Sequence, residues 1–455
     1  MSIERVVACL HQHRDRHLQQ LRELCRIPSI SAQPQHAADV RRAVEWTCRH
    51  CRALGLEAEV HETAGHPLVF AQYVADPAAP TYLVYGHLDV QPTGDRALWD
   101  ADPFEPVVDG EWLVCRGAAD DKGQVMVYLR AIEAWLEAAG TLPVNIKLLI
   151  EGEEEVGSVN LAPFLREHRE LLACEAVLIS DTGILADGVP TITYGTRGLC
   201  YMEVRLHGPA HDLHSGTHGG PVTNPANALA RIIASLHDEH GRVNIDGFYD
   251  DVLEISQRER ELSAAFPLDE QQYARDLGVP GFNGEQGYSV QELRSARPTL
   301  DVNGIYGGYT KEGASTIIPA MAGAKISMRL VPRQRGDDIA AKFKRAVEER
   351  CPRTVQCEII EHAHAAAYMT PLDAPFIEPA REALRAAFGS EVAFIREGGS
   401  LPILPTFRDE LGAECLLIGL ASPSCNAHGP NERVRLPDLD RGAEAVARFF
   451  ELVAK

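Results

Sequence analysis

Three apolar runs in this chain end abruptly in acids or histidine, and that pattern constrains its fold most. They are TYLVYGHLDV (residues 81–90), LPVNIKLLIEGEEE (142–155) and EAVLISD (175–181). Short apolar runs with polar ends read as buried strands of a layered sheet. Helical signals separate them: DKGQVMVYLRAIEAWLEAAG lies between the first two and closes on a glycine. Such alternation predicts an α/β domain with a largely parallel sheet. In open α/β sheets, sites form beyond the carboxyl ends of the strands. The acids and histidine therefore fall where a site is expected.

The opening 60 residues read as helices, with Leu18, Leu21 and Leu24 on one face and an amphipathic run over 37–54 closing at Gly55. Near Tyr194 the texture changes. TITYGTRGLCYMEVRLHG alternates as an antiparallel strand pair would, and a helix and a long irregular stretch over 241–300 follow. The first texture returns after residue 366. The expected architecture is a two-domain one: a mainly parallel α/β catalytic domain over 1–193 and 367–455, and an inserted α+β domain over 194–366.

Composition narrows the function. The chain has 455 residues and a formal charge of −21. That surplus argues against nucleic acid, which needs a basic face, and against anionic lipid. The plain reading of the charge is solubility; the sharper one is that some acids are clustered to hold metal. Eleven scattered cysteines do not form a disulfide framework, and the lone Cys48/Cys51 pair reads as incidental thiols. No signal-peptide pattern and no membrane-length apolar run is present, so the expected compartment is the cytoplasm.

Five local patterns carry the chemistry. In His87-Leu88-Asp89, residues i and i+2 share a strand face, which suits a ligand histidine with an orienting carboxylate; taken alone, the pair is also an ordinary surface pattern. In RGAADDKG, Asp120 and Asp121 precede a helix, and either can cap it. If Asp121 caps, Asp120 is free to face a site. EGEEEVGS holds Glu151, Glu153, Glu154 and Glu155, which read as a solvated loop or as a ligand beside a general base. Ser180-Asp181 ends a strand, and Ala427-His428-Gly429-Pro430-Asn431-Glu432 follows ECLLIGL. Nitrogen and oxygen donors without sulfur suit zinc, manganese or cobalt, and one shared carboxylate suits two ions.

Taken in order, GHLDVQP, RGAADDKG, EGEEEVGS, SD, HDLHSG, IIPA, MRLVP, REGGSLP and NAHGPNE resemble the dinuclear zinc peptidases that include carnosinases, cytosolic nonspecific dipeptidase, carboxypeptidase G and succinyl-diaminopimelate desuccinylase. The likeness covers nearly the whole chain. RPTLDVNGIYGGYTKEGASTIIPA, GFYDDV and REGGSLPIL point to the carnosinase-type branch. The resemblance implies two divalent ions per subunit, zinc first, with manganese or cobalt as alternatives. It implies that Asp120 bridges them, that His87 and Asp181 complete one site, and that Glu155 and His428 complete the other. Glu154 would be the general base acting on a water between the ions, Asp89 would orient His87, and a cis peptide would follow Asp120. Asp rather than Glu at position 181 fits the dipeptidase and carboxypeptidase-like branches. His214 would polarise the scissile carbonyl from the partner subunit. Arg329, Thr316, Ser400 and the backbone of Gly398-Gly399 would hold the substrate's C-terminal carboxylate. Arg396 and Glu397 read as structural; Asn227, His211, His362 and His364 are not expected to be ligands. The implied function is hydrolysis of dipeptides or short peptides by a homodimer joined through the insert. The alternative is a deacylase or carbamoylase of N-acyl amino acids.

Overall fold

The computed structural model describes residues 2–454, and the chain forms two units. One contains the residues through Tyr194, then Thr370–Ile395, and the chain from Ile403 onward. The other contains Gly195–Met369 and the short return Arg396–Pro402, a segment outside the expected insert boundaries. Among the described residues, no helix is long and apolar enough to cross a membrane.

The first unit is built on a mixed sheet. Its strands lie in the order Glu57–His61, Leu68–Tyr73, Asn145–Glu151, Thr81–His87, Ala176–Ile179, Glu414–Gly419 and Thr191–Thr196. The four central strands, from Asn145–Glu151 to Glu414–Gly419, run parallel, and antiparallel strands flank them. Their residues are almost wholly buried, as expected for strands covered on both faces. From Thr81–His87 the chain crosses to a neighbour on one side and then to Ala176–Ile179 on the other. This reversal makes the carboxyl end of Thr81–His87 a switch point, where such sheets open a crevice. The register sets His87 level with Glu151.

The helix Lys122–Ala139 is buried on nearly every side over its first fourteen residues, as its apolar sequence requires. It packs against the C-terminal helix Leu436–Val453, and Trp135 Nε1 donates to the Ala447 carbonyl at 3.0 Å. Gly140, at φ +75°, ends it in the left-handed region that glycine adopts freely.

The second unit is an antiparallel sheet in the order Thr299–Gly307, Met321–Leu330, Gly198–His207 and Gln356–Ala365. Met202, Val204, Ile326 and Met328 meet Leu229, Ile232, Phe343 and Val347 of the helices Pro225–Ser235 and Gly336–Arg350 in its core. Two details differ from the sequence reading. The run over 191–207 is two strands, but they pair with different sheets rather than with each other. Alternation reveals a strand and not its partner. The stretch over 241–300 is not irregular throughout: it carries the helices Gln257–Ala264, Glu270–Leu277 and Val290–Ser295. Two of them open on capping boxes, Ser256 with Glu259 and Ser289 with Glu292, an S-x-x-E signal readable in the sequence.

These short helices are tied to the unit by a buried carboxylate. Glu285 accepts from Arg297 Nε and Nη2, both at 2.8 Å, and from Arg242 Nη1 at 2.6 Å. Arg297 lies over the Tyr288 ring and Arg242 over the Tyr249 ring. Glu285→Ala would leave Arg297, 3% exposed, without its counter-charge. We expect a loss of about 3–5 kcal/mol, read by chemical denaturation, with faster amide exchange over 240–300. A stability change within experimental error would show that the pair is dispensable.

Candidate metal centre

His87 ends its strand fully buried, and its ring is fixed by its neighbours. Nδ1 lies 3.0 Å from the Asp89 carbonyl and 3.5 Å from its carboxylate. Both are acceptors only, so Nδ1 carries the proton and Nε2 presents its lone pair. Nε2 faces Asp120 Oδ1 at 3.0 Å and Asp181 Oδ2 at 3.7 Å, yet has no properly directed hydrogen bond. A lone pair turned toward two carboxylates calls for a cation between them. Burial opposes charge on His87, but the surrounding Asp120, Asp89 and Asp181 outweigh it and hold its pKa well above the usual histidine value, so these carboxylates demand a positive charge at Nε2, which either a proton or a metal ion supplies.

Asp89 does more than orient His87. Its two carboxylate oxygens accept from the backbone N–H groups of Glu154 at 3.1 Å and Glu155 at 3.0 Å. One side chain thus fixes the imidazole and the turn that carries both glutamates.

Asp120 sits in the loop before the Lys122–Ala139 helix, and the Asp120–Asp121 peptide bond is cis. The capping reading of Asp121 is not what the structure shows. Asp121 occupies the N-cap position, but its side chain makes no cap hydrogen bond and instead accepts from the His87 N–H at 3.2 Å. The loop is held by Glu432, which accepts from the N–H groups of Gly117, Ala119 and Asp120 at 3.0, 2.9 and 3.1 Å. Arg116 pairs with Glu432 at 2.6 Å, and both are almost completely buried. Its other nitrogen donates to the carbonyls of Pro92 and His428 at 3.2 and 3.1 Å. The pair therefore links the Asp120 loop to the His428 loop. Gly123 allows close packing here, because a Cβ would stand 2.1 Å from the Ala118 carbonyl oxygen.

The four clustered glutamates divide by role. Glu151 accepts from the Tyr85 hydroxyl and from Ser158 Oγ, and burial pushes its pKa up to about 8. Glu153 accepts from the N–H groups of His66 and Asn160, both at 2.9 Å, which ties two loops together. Glu154 and Glu155 remain to face the site from a short turn. Burial, then the charge of Asp120, raises Glu155 to about 7, and Gln91 Nε2 donates to it at 2.7 Å. Burial also raises Glu154, with Asp120 and Asp89 adding to it. Asp181 follows its strand and is pushed well above the carboxylate range by burial and by Asp120 and Asp121.

His428 is exposed on a loop with φ +62°, beside Asn426 and Asn431 at φ +53° and +55°. Three non-glycine residues in the left-handed region mark a loop whose surroundings determine its conformation. His428 Nε2 lies 2.9 Å from Asp120 Oδ2 and 3.4 Å from Glu155 Oε2. Two donor groups result, His87–Asp120–Asp181 and Asp120–Glu155–His428. Within each, the donor atoms lie within 4.8 Å of one another, and Asp120 belongs to both. The nitrogen and oxygen donors, the orphaned Nε2 of His87 and the raised acids fit divalent metal. Sequence reasoning quoted Arg116, Glu432 and Gln91 within motifs but gave them no role. A loop has no period that marks a buried charge; their only signal was adjacency to the ligand candidates.

The remaining candidates belong to the second unit. His214, on the short strand Leu213–His214, is exposed, and its Nδ1 accepts from the Gly216 N–H at 3.0 Å. The neutral ring therefore carries its proton on Nε2. Thr316 is exposed, and its carbonyl accepts from the Ser215 N–H at 3.0 Å. Arg329 Nη1 donates to Ser400 Oγ at 3.1 Å. The carbonyls of Gly398 and Gly399 accept from Arg197 Nε and N–H, both at 3.1 Å. Arg197 had no place in the sequence reading. Burial, and then Arg329, lowers its pKa to about 10. Arg396 pairs with Glu259, and His362 Nε2 lies 2.7 Å from Glu203. All eleven cysteines are free.

Known proteins are similar to this chain along nearly its whole length. A Cys-Gly metallodipeptidase of Schizosaccharomyces pombe is 29% identical over 470 residues, spanning 100% of this chain and 99% of its own. A Beta-Ala-His dipeptidase of Homo sapiens is 29% identical over 469 residues, with 98% of this chain and 92% of its own covered. The crystal structure of an M20 family metallo-carboxypeptidase from Sulfolobus solfataricus superposes with a TM-score of 0.81 at 32% identity, covering 96% of this chain and 99% of that one. Peptidase family M20/M25/M40 matches residues 83–452, and the chain belongs to that family.

Proposed function

We propose that this peptidase hydrolyses dipeptides and short peptides with a free C-terminal carboxylate, using two divalent ions, zinc first among zinc, manganese and cobalt. The carrying observation is Asp120, whose two oxygens face different histidines in two donor groups. His87 and Asp181 would complete one ion's ligands and Glu155 and His428 the other's. Bound there, the ions would acidify a water and polarise the scissile carbonyl.

The chain's own residues supply the rest. Glu154, its pKa raised by burial, accepts the attacking water's proton and passes it to the leaving amine. His214 offers an Nε2–H to the developing oxyanion, a role consistent with its Nδ1 being occupied as an acceptor. Arg329 presents its guanidinium beside Ser400, with Thr316 and Gly399 in the same unit, to the terminal carboxylate. The active form is a cytoplasmic homodimer joined through the inserted unit, with His214 acting on the partner's site. Relatives acting on Cys-Gly and Beta-Ala-His support a dipeptide substrate.

On enzyme reconstituted separately with zinc, manganese and cobalt, a dipeptide panel should turn over and N-acetyl or N-succinyl amino acids should not. Faster cleavage of the N-acyl panel would replace the dipeptidase reading with a deacylase. In the same assay Glu154→Gln should lose about 10²–10⁴ in kcat with full metal content, and near-normal turnover would remove it as the base. Mixing inactive His214→Ala and Glu154→Gln subunits should restore partial activity, because one site per hybrid dimer is intact. No recovery after demonstrated exchange would place His214 in its own subunit's site. Glu432→Gln should weaken metal binding about 10–100-fold in a chelator competition; unchanged affinity would show that the loops hold without it.

A further inference from the structure

A second kind of donor cluster lies on the helical face of the first unit. Cys9 and His13 are one helical turn apart at the end of the helix Ile3–Gln12, so their side chains share a face. Glu137 meets them from the last turn of Lys122–Ala139. One donor atom from each of the three lies within 4.8 Å of the others. Glu137 lies 15 residues beyond Lys122, about 22 Å along the helix from the Asp120 loop. No role in peptide hydrolysis reaches this cluster.

We propose that Cys9, His13 and Glu137 form a third metal site, taking a zinc-class divalent ion through sulfur, nitrogen and oxygen. The contacts present are those a metal would replace. His13 Nε2 lies 2.8 Å from Glu137 Oε1, and the Cys9 sulfur stands within 4.8 Å of donor atoms of both. An ion among them displaces the thiol proton to solvent, leaving thiolate. The neutral imidazole moves its proton to Nδ1 and coordinates through Nε2, with no other proton released. Cys9 and His13 are half-buried and Glu137 is exposed, so water can complete a tetrahedral shell. The competing interaction is Arg16, 3.4 Å from Glu137 and 3.0 Å from Glu133, with His17 also held by Glu133 at 2.7 Å. Glu133 engages both Arg16 and His17, and its contact to Arg16 is shorter than Glu137's, which leaves Glu137 able to serve the metal. The site would pin the N-terminal helix to the helix that carries the Asp120 loop.

The donors give a readout independent of catalysis, because the proposed catalytic ligands contain no sulfur. The full-length enzyme is titrated with Co(II) and followed by near-ultraviolet absorption and bound-metal analysis. The expected result is a thiolate-to-cobalt charge-transfer band that grows with one equivalent of metal. Cys9→Ser should abolish the band and that equivalent while dipeptide turnover stays within twofold. Glu137→Gln, which keeps the thiol, should weaken the band's cobalt affinity at least tenfold. No charge-transfer band, or a band that survives Cys9→Ser, overturns the proposal and leaves an ion-pair contact between helices. The result does not depend on the peptidase reading, since the band reports Cys9 whatever the substrate.

Discussion

Asp120 is the point on which the first unit's chemistry rests. One of its oxygens stands 3.0 Å from the His87 ring and the other 2.9 Å from the His428 ring. A carboxylate reaches one histidine at a strand end and another on a distant loop only if its backbone is held rigidly. Glu432 does this by accepting three loop N–H groups, those of Gly117, Ala119 and Asp120 itself. A buried carboxylate would be costly alone; Arg116 offsets its charge and reaches on to the His428 carbonyl. The same brace therefore sets both loops, and an error at Glu432 would move donors of both groups together.

Around this anchor the sheet provides position and the acids provide demand. Parallel strands end at one edge, so His87 and Asp181 arrive there from neighbouring strands, with the Glu154–Glu155 turn just beyond a third. Burial then raises the cost of every negative charge, and each carboxylate raises its neighbours'. Asp181, Glu154 and Glu155 all lie above their ordinary values for that reason, while the two histidines hold Asp120 below its own. Such a set is stable as ions only with positive charge among them. Divalent metal would supply it, so the donors' electrostatics and their chemistry point the same way.

Much of this was legible in the sequence, and the gaps have physical reasons. The strand ends announced themselves because a buried apolar run stops sharply at His87, Glu151 or Ser180. The run of glutamates also drew attention, but the sequence could not sort it. Glu151 and Glu153 are braces, the first held through one oxygen by Tyr85 and Ser158 and the second by His66 and Asn160, while their neighbours face the donors. Which carboxylate does which depends on loops distant in the chain. Arg116 and Glu432 were hidden for the same reason, since 316 positions separate them. The capping reading of Asp121 failed because His87's N–H offered its carboxylate a buried partner. Strand partners over 191–207 were misjudged because alternation carries no information about which sheet a strand joins.

The second unit poses the opposite electrostatic problem. Arg197 lies half-buried within the field of Arg329, and among the described residues neither is hydrogen-bonded to a carboxylate, although Asp301 acts on Arg197 from further off. Their recorded hydrogen-bond partners are neutral: the carbonyls of Gly398 and Gly399 for Arg197, and the Ser400 hydroxyl for Arg329. Neutral acceptors orient a guanidinium without cancelling its charge. A group of oriented cations favours a ligand carrying a planar anion, as a peptide's terminal carboxylate does. One unit thus gathers acids that call for metal, and the other gathers cations that call for a carboxylate.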